Sequence, residues 1–159
     1  MSAMTFEQLR DEWEIGKLAH RYAQAVDRGD GAAWSALFAT GAVLRIGDGA
    51  VVPKQALEAI PERQLQRYAK TFHGILTQVI DLRGPDTAGG EVYCIARHVY
   101  TDYHNTPGSM PFSLSHDVVI KYRDKYRKED GVWRFAERAL AIDFRQVSQV
   151  DLFSGNVPV

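Results

Sequence analysis

The sequence of 159 residues predicts an α+β fold, in which N-terminal helices pack against a curved, antiparallel or mixed sheet. Before residue 70, apolar residues recur at spacings of three and four, which is the period of an amphipathic helix. After it, long segments rich in apolar and β-branched residues are separated by short runs of turn-forming residues, which is typical of antiparallel strands. A block of helices followed by a block of strands indicates the α+β class rather than alternating βα units.

The first helix is predicted to span residues 5–28. Thr5, followed three residues later by Gln8, has the pattern of a capping box at the N-terminus, and Gly29 supplies a C-terminal stop. The apolar stripe along this helix consists of Ile15, Leu18, Ala19, Tyr22, Ala25 and Val26. This stripe is the face that we expect to lie on the sheet.

Shorter elements are predicted between residues 30 and 68. Asp30 is a suitable N-cap for a second, short helix, and residues 42–46 form a strand candidate between glycine-containing turns. The inward residues of that helix are expected to be Trp34, Leu37 and Phe38. A third helix fits residues 54–68, and Pro61 within it predicts a kink or a break because proline lacks a backbone N–H.

The second half of the chain predicts four long strands. They span residues 71–82, 91–104, 112–126 and 132–144. Turn-forming runs at 83–90, 105–108 and 129–131 separate them. We expect one domain over residues 1–159, with a core at about 5–145 and an aperiodic C-terminal extension at 146–159 that docks on a neighbour or frays.

Composition narrows the class of function. The net charge is -1, hydrophobic residues make up 45% and charged residues 25% of the chain, which is ordinary for a globular protein. A concentrated basic surface, which nucleic acid or an anionic membrane would require, is not expected from this balance. The single Cys94 predicts neither a disulfide nor a thiolate zinc site, and no metal-ligand spacing occurs on a helix. With no signal-peptide pattern in the first 14 residues, a cytoplasmic protein acting on a small molecule is expected.

Two residues of the first helix are candidates for chemistry. Asp27 ends the helix, where a negative charge meets the unfavourable end of the helix dipole, so its carboxylate is either solvated or held for a purpose. Tyr22 lies on the apolar stripe and is either a core aromatic residue or a hydrogen-bond donor to a ligand.

The strands carry three further candidates. If the hairpin of the first two long strands is centred on residues 86–87, His73 opposes Tyr100 and lies diagonal to His98. A register shift of one residue would place the two histidines on opposite faces, so this pairing stays open. Arg138, on a mostly apolar strand face, either reaches water at the sheet edge or pairs with an anion inside a cavity.

Three segments resemble the SnoaL-like family, which has the cone-shaped α+β fold of nuclear transport factor 2. They are RYAQAVDRGD at 21–30, WSALFA at 34–39 and YRKEDGVWRFAER at 126–138. The resemblance covers nearly the whole chain. It is nearest to the branch of scytalone dehydratase, bile-acid 7α-dehydratase and hexachlorocyclohexane dehydrochlorinase.

The resemblance implies a lyase that needs no cofactor or metal. In that branch an Asp–His dyad matches Asp27 and His73, with His73 as the general base and Asp27 orienting it. Tyr22 matches a tyrosine that donates to the substrate or leaving group, and Arg138 an arginine that holds developing negative charge. His98 is similar to a second histidine that binds the substrate or helps to expel water.

The substrate and the assembly are also expectations. Aromatic residues that could line an apolar pocket for an aromatic, polyketide-like or steroid-like molecule are Trp34, Phe38, Phe72, Tyr100 and Phe144. A homo-oligomer, trimer or dimer, is expected because the outer face of such a sheet usually needs covering.

Other functions remain open on the same fold. One is a ligand-binding module without chemistry, and another is an assembly partner resembling the small β-subunit of ring-hydroxylating dioxygenases. Isomerases and cyclases share the fold too. Residues 43–46 lack the aspartate base of ketosteroid isomerase, which argues against that reaction.

Overall fold

Helices and strands follow one another largely as predicted in the part of the chain that the structure, a computed structural model, describes: residues 4–47, 49–100 and 113–150. The helices are α1 (Phe6–Arg28), α2 (Gly31–Ala36), α3 (Lys54–Leu57) and α4 (Ala59–Arg67). The strands are β1 (Phe38–Ile46), β2 (Ala50–Pro53), β3 (Tyr68–Leu82), β4 (Thr87–Tyr100), β5 (Ser113–Glu129) and β6 (Val132–Val150). The α+β class is confirmed.

Both ends of α1 are those that the sequence predicts. Thr5 Oγ1 accepts from the Gln8 backbone at 3.2 Å, and Gln8 Oε1 accepts from the Thr5 backbone at 2.8 Å, which completes the capping box. Gly29 ends the helix at a φ of 72°, in the left-handed region that glycine enters without steric cost. These local contacts position Asp27 in the last turn of α1.

The predicted third helix is interrupted, and α3 and α4 are separated by Glu58. Pro61 accounts for the break, because its nitrogen has no hydrogen to donate to the carbonyl of Leu57, the last residue of α3. Pro61 instead lies in the first turn of α4, where backbone N–H groups have no partner within the helix in any case. Tyr68 begins β3 rather than ending this helix.

Near α2, the prediction is correct at the start and wrong at the end. Asp30 caps α2 by accepting from the Ala33 backbone at 2.9 Å. Phe38, expected at the inward face of this helix, begins β1 instead. The short strand β2 was not predicted.

The six described strands form one mixed, curved, open sheet in the order β2-β1-β6-β5-β4-β3. β1 runs parallel to β6, and the other neighbouring pairs are antiparallel. The β5–β6 hairpin turns at Asp130 and Gly131, whose φ angles of 51° and 75° are those of a tight hairpin turn, so the turn predicted at 129–131 is confirmed.

The β3–β4 register differs from the predicted one. His73 lies opposite Ala96 rather than Tyr100, and Thr71 lies opposite His98. The partner of His73 thus differs from the predicted one by four residues. Because four is an even number, the side chains keep their faces, and His73 and His98 remain diagonal neighbours on the same face. The hairpin is therefore centred closer to residue 85 than to residues 86–87.

A bulge in β3 then reverses which side chains face inward. The register shifts between Ile75 and Gln78, so an extra residue enters β3. Val79, which shares its parity with His73, is 68% exposed as a result, whereas Ile80 packs against the core.

The hydrophobic core lies between α1 and the inner face of the sheet. Its members from α1 include Ile15, Leu18 and Val26, and those from the strands include Val92, Cys94, Ala96, Ile120, Tyr122 and Phe135. Strand β6 continues to Val150, beyond the predicted strand end at residue 144, and residues 146–150 pair with β5. The predictions for residues 101–112 and 151–159 lie outside the described residues.

No helix in the described ranges is long and apolar enough to cross a lipid bilayer.

Candidate active site

Asp27 and His73 are in direct contact. His73 Nδ1 lies 2.7 Å from Asp27 Oδ1, and the His73 backbone N–H donates to Asp27 Oδ2 at 2.9 Å. The Thr71 hydroxyl donates to Asp27 Oδ1 at 2.9 Å. Both carboxylate oxygens are thus engaged by the start of β3, which holds the aspartate at the inner face of the sheet.

These contacts control the ionisation of Asp27. Burial acts to raise the pKa of the carboxyl group, but the hydrogen bonds and charge of His73 and the hydrogen bond from Thr71 outweigh it and hold the pKa below its usual value. Asp27 is therefore a carboxylate at neutral pH, and it accepts the proton that His73 carries on Nδ1. The carboxylate at the unfavourable end of α1 is held by β3 rather than solvated.

A cavity of about 150 Å³ opens beside this pair, between the helices and the inner face of the sheet. Its polar and phenolic lining residues include His73, His98, Tyr22 and Tyr122. The remaining lining residues are Val26, Trp34, Leu44, Ile46, Ile60, Gln64, Val118, Ile120, Leu140 and Ile142. An apolar wall with a few polar groups is the usual character of a small-molecule site.

His98 lies next to His73 with the two rings edge to face and 5.4 Å between their centroids, and the ring of Tyr68 is also in contact with it, at a centroid distance of 4.7 Å. Burial and the neighbouring His73 lower the pKa of His98 to about 4. His98 is therefore a neutral imidazole at neutral pH, able to donate or accept a hydrogen bond but not to act as an imidazolium acid.

Tyr22 and Tyr122 bring two phenol groups to the cavity wall, with ring centroids 5.8 Å apart. Both are at most 5% exposed. Burial raises the pKa of each far above its usual value, so both hydroxyls stay protonated and can act as hydrogen-bond donors.

Arg138 lies behind the cavity wall and not in it. It is fully buried, and its guanidinium donates to Asp124 from Nε at 3.0 Å and from Nη2 at 3.1 Å. The same group stacks on Tyr122 at 3.8 Å and on Tyr22 at 4.3 Å. Arg138 therefore does not reach water at the sheet edge. It forms a buried ion pair, and the anion that it binds is the carboxylate of Asp124.

Four other aromatic residues predicted for the pocket lie elsewhere. Phe38 is fully buried among Trp34, Tyr22 and Phe135 and does not reach the cavity. Tyr100 packs on Tyr68, also outside the lining. Phe72 and Phe144 are each 60% exposed on the outer face of the sheet. Phe72 faces outward because it is next to the inward-facing His73, and Phe144 does so because the β5–β6 register shifts between Val119 and Ile120.

Three residues of the site were missed by the sequence reasoning. Thr71 was not singled out, although its place two residues before His73 puts both side chains on one face. Tyr122 and Gln64 enter the cavity from β5 and α4, and no local signal distinguishes them from other core or helix-surface residues. Cys94 is buried, as expected of an inert thiol, and burial raises its pKa to about 11.

A wider groove of about 620 Å³ lies on the outer face of the sheet and contains none of the predicted site residues. Its lining is rich in charge, including Glu91, Arg123, Lys125 and Glu137. The cavity with the histidines is smaller, but it is the one that combines apolar walls with polar groups held in place. Among the described residues, no group of three or more histidine, cysteine or carboxylate side chains is placed to hold a metal ion.

Comparison with known proteins identifies the class. The SnoaL-like domain family matches residues 7–139, which is most of the chain. The chain therefore belongs to the SnoaL-like family, as the three sequence segments indicated. A search of curated protein sequences finds no match.

Solved structures share the fold. A protein from Novosphingobium aromaticivorans, provisionally assigned as a scytalone dehydratase, is similar with a TM-score of 0.77 and 20% identity, over 97% of this chain and 100% of that one. A type 2 hexachlorocyclohexane dehydrochlorinase (LinA) has a TM-score of 0.74 and 15% identity, over 96% of this chain and 97% of that one. A provisionally assigned aromatic ring hydroxylase from N. aromaticivorans has a TM-score of 0.73 and 20% identity, over 89% and 94%. At these identities the likeness is one of fold.

Proposed function

We propose that this protein is a cofactor-independent lyase that eliminates water, or another leaving group, from a small apolar substrate. The observation that carries the proposal is the 2.7 Å contact between Asp27 Oδ1 and Nδ1 of His73, a residue that lines an apolar cavity. A histidine held by one nitrogen beside a ligand-sized space is arranged for proton transfer through the other nitrogen.

His73 acts as the general base. Because Asp27 accepts the proton on Nδ1, the lone pair of neutral His73 is on Nε2, and that nitrogen takes the proton from the substrate. The resulting imidazolium is stabilised by the adjacent carboxylate, and this attraction is stronger in a cavity than in water. Thr71 and the His73 backbone keep Asp27 in place while the charge forms.

His73 alone can account for all the proton transfers of the elimination. The C–H electrons on the carbon next to a carbonyl form the new double bond as the proton moves to His73 Nε2. The bond to the β leaving group breaks and its electrons go with that group. If the leaving group is hydroxide, it takes the proton from the imidazolium, so that the products are an unsaturated carbonyl compound, water and neutral His73.

Tyr22 supports the developing charge. Its hydroxyl is protonated and borders the cavity, so it can donate a hydrogen bond to an enolate oxygen or to the departing group. His98 contributes a neutral hydrogen-bonding group beside His73. We assign Arg138 to positioning, because it reaches the cavity only through the rings of Tyr22 and Tyr122.

Two further considerations support a lyase. Structures with this fold include proteins named for dehydration and dehydrochlorination, which are both eliminations. A protein that only binds its ligand would not need a carboxylate within hydrogen-bond reach of an imidazole at the cavity wall. A dioxygenase-subunit-like assembly partner would not need it either.

The test is turnover of compact β-hydroxy ketones, followed by the ultraviolet absorbance of the enone product. His73→Ala and Asp27→Asn should each fold and each lose about 10²–10⁴-fold in kcat, which is the usual contribution of a positioned general base. His20→Ala and Asp81→Asn replace an exposed histidine and an exposed aspartate, and they should keep full activity. Full turnover by His73→Ala would rule out the dyad.

A further inference from the structure

Two buried polar atoms at the cavity have no hydrogen-bond partner among the described residues. They are Trp34 Nε1, a donor, and Gln64 Oε1, an acceptor. Both residues line the same cavity as His73. Trp34 is fully buried, so its N–H has no exposed surface from which to reach bulk solvent.

Such a pair is unusual because buried polar groups are nearly always hydrogen-bonded, and an unpaired one costs folding free energy. The other buried indole in the described core is paired, since Trp133 donates to Asp11 at 2.9 Å. Gln78 Nε2 and Arg138 Nη1 are also without a partner among the described residues, but neither residue lines this cavity. A donor and an acceptor left free at the same ligand-sized space point to a ligand that carries the complementary groups.

The positions of both residues are set by close helix packing. Trp34 lies on α2 and Gln64 on α4, and the two helices approach closely near Gly31, where a Cβ would lie 1.9 Å from the Glu58 carbonyl oxygen. Because Gly31 has no side chain, the start of α2 can pack directly against Glu58, the residue that precedes α4. The donor and the acceptor are thus on packed helices, which suits a site of fixed geometry.

The volume limits the ligand. A cavity of about 150 Å³ is large enough for a benzene-sized ring and is well below the range usual for drug-sized ligands. It favours a single ring over the steroid-like substrates that the family resemblance admits.

We propose that the substrate is a compact, single-ring β-hydroxy ketone. Its carbonyl oxygen accepts a hydrogen bond from Trp34 Nε1, and its hydroxyl donates one to Gln64 Oε1. This inference rests on the proposed function, since a β-hydroxy ketone is the substrate of the elimination described above. In that reaction Gln64 holds the leaving oxygen through its hydrogen, both before the C–O bond breaks and as product water.

The test is binding of three probes to the His73→Gln protein, which prevents turnover during the measurement. The probes are 3-hydroxycyclohexanone, cyclohexanone with the carbonyl alone, and cyclohexanol with the hydroxyl alone. In this background, Trp34→Phe removes the donor and keeps an aromatic ring, and Gln64→Met removes the acceptor at similar size.

The expected result is a crossed pattern. Trp34→Phe should raise the Kd of cyclohexanone about fivefold to tenfold and leave that of cyclohexanol unchanged, as one hydrogen bond is lost. Gln64→Met should raise the Kd of cyclohexanol by a similar factor and leave that of cyclohexanone unchanged. Both variants should weaken the binding of 3-hydroxycyclohexanone. Equal effects of either variant on the two single-group probes, or no effect, would overturn the assignment.

A second measurement needs no change at the buried Trp34. In the ¹H–¹⁵N spectrum, cyclohexanone should shift the Trp34 indole signal and cyclohexanol should not, while Trp133, which is bonded to Asp11, stays in place. An unshifted Trp34 signal at saturating cyclohexanone contradicts the proposal. The crossed pattern together with an inactive wild-type protein would leave the binding assignment standing and reject the lyase, so the two failures are distinguishable.

Discussion

Thr71 shows how one side chain without reactivity of its own can control the dyad. Its hydroxyl donates at 2.9 Å to Oδ1 of Asp27, the same oxygen that faces His73 Nδ1. That hydrogen bond is one of the contributions that keep the pKa of Asp27 below its usual value. In the proposed reaction Thr71 is therefore a positioning residue, which acts only through the carboxylate of Asp27.

We predict that Thr71→Val lowers kcat by about 10-fold to 100-fold, which corresponds to the loss of one hydrogen bond to a charged group. The pKa of Asp27 should rise, so the pH at which the ¹³C signal of its carboxyl group titrates should increase. Thr71→Ser keeps the hydroxyl and should restore the titration, and Thr77→Val, an exposed change on the same strand, should not alter it. A carboxyl titration that stays in place would show that Thr71 has only a packing role.

The lowered pKa of Asp27 also makes the free energy of unfolding depend on pH. Because the folded pKa of Asp27 lies below that of the unfolded chain, the unfolded state binds more protons in the acid range. This stabilisation is complete above the unfolded pKa and is lost as the pH falls through the folded pKa. Weakening the Thr71 hydrogen bond should therefore shift acid unfolding to higher pH.

At the scale of elements, a buried polar contact ties α1 to the β5–β6 hairpin. Asp11, 5% exposed, accepts from the Trp133 indole at 2.9 Å and lies 2.9 Å from Lys128 Nζ. Lys128 and Trp133 follow Asp11 by 117 and 122 positions in the chain, so the contact joins the β5–β6 hairpin to the first turns of α1. The contact fixes how α1 lies across the sheet, and hence where its last turn carries Asp27.

We predict that Asp11→Ala lowers the free energy of unfolding by about 1–3 kcal/mol, because it leaves the Trp133 N–H and the Lys128 ammonium without their buried partner. Urea denaturation followed by circular dichroism measures it. Glu12→Ala, the adjacent residue on α1, should change stability by about 0.5 kcal/mol or less. Equal losses in the two variants would mean that the buried contact contributes nothing.

At the scale of the whole molecule, the outer face of the sheet carries exposed apolar side chains beside its charged groove. Phe72, Phe144 and Val79 are 60%, 60% and 68% exposed, and the register of β3 to β6 places them on the face opposite α1. Exposed apolar groups on one sheet face often mark an interface. We therefore expect a homo-oligomer, a dimer or a trimer.

Light scattering after size-exclusion chromatography should give a mass that is a multiple of 17.9 kDa. Phe144→Glu should reduce it, because a charge on this face would have to be buried without a partner. Val132→Glu, at an equally apolar position that is 48% exposed beside the β5–β6 turn, should leave the mass unchanged. A monomeric wild-type chain at micromolar concentration would contradict the expectation.

Features with short-range causes could be predicted from the sequence. The capping box, the Gly29 stop and the Asp30 cap each depend on residues at most four positions apart, so their geometry follows from local hydrogen bonding. The break near Pro61 has the same local character. The Asp27–His73 pairing was expected only through the family resemblance, because strand register could not be derived from the strands alone.

Other features depend on residues far apart in the chain. The bulge between Ile75 and Gln78 decides which residues of β3 face outward, and no local signal marks it. Arg138 finds Asp124 because β5 and β6 place the two opposite each other, so its charge is used inside the wall and not in the cavity. Gln64 joins Trp34 at the cavity only because α2 and α4 pack together.

By itself, the sequence determined the α+β class, the limits of α1 and the candidates Asp27 and His73, because hydrophobic period, caps and turn residues act over a few positions. The tertiary structure alone decided which candidates share the cavity, which carboxylate pairs with Arg138 and which polar groups are left for a ligand. These outcomes depend on strand register and helix packing, in which a shift of one residue turns a side chain from the core to the solvent.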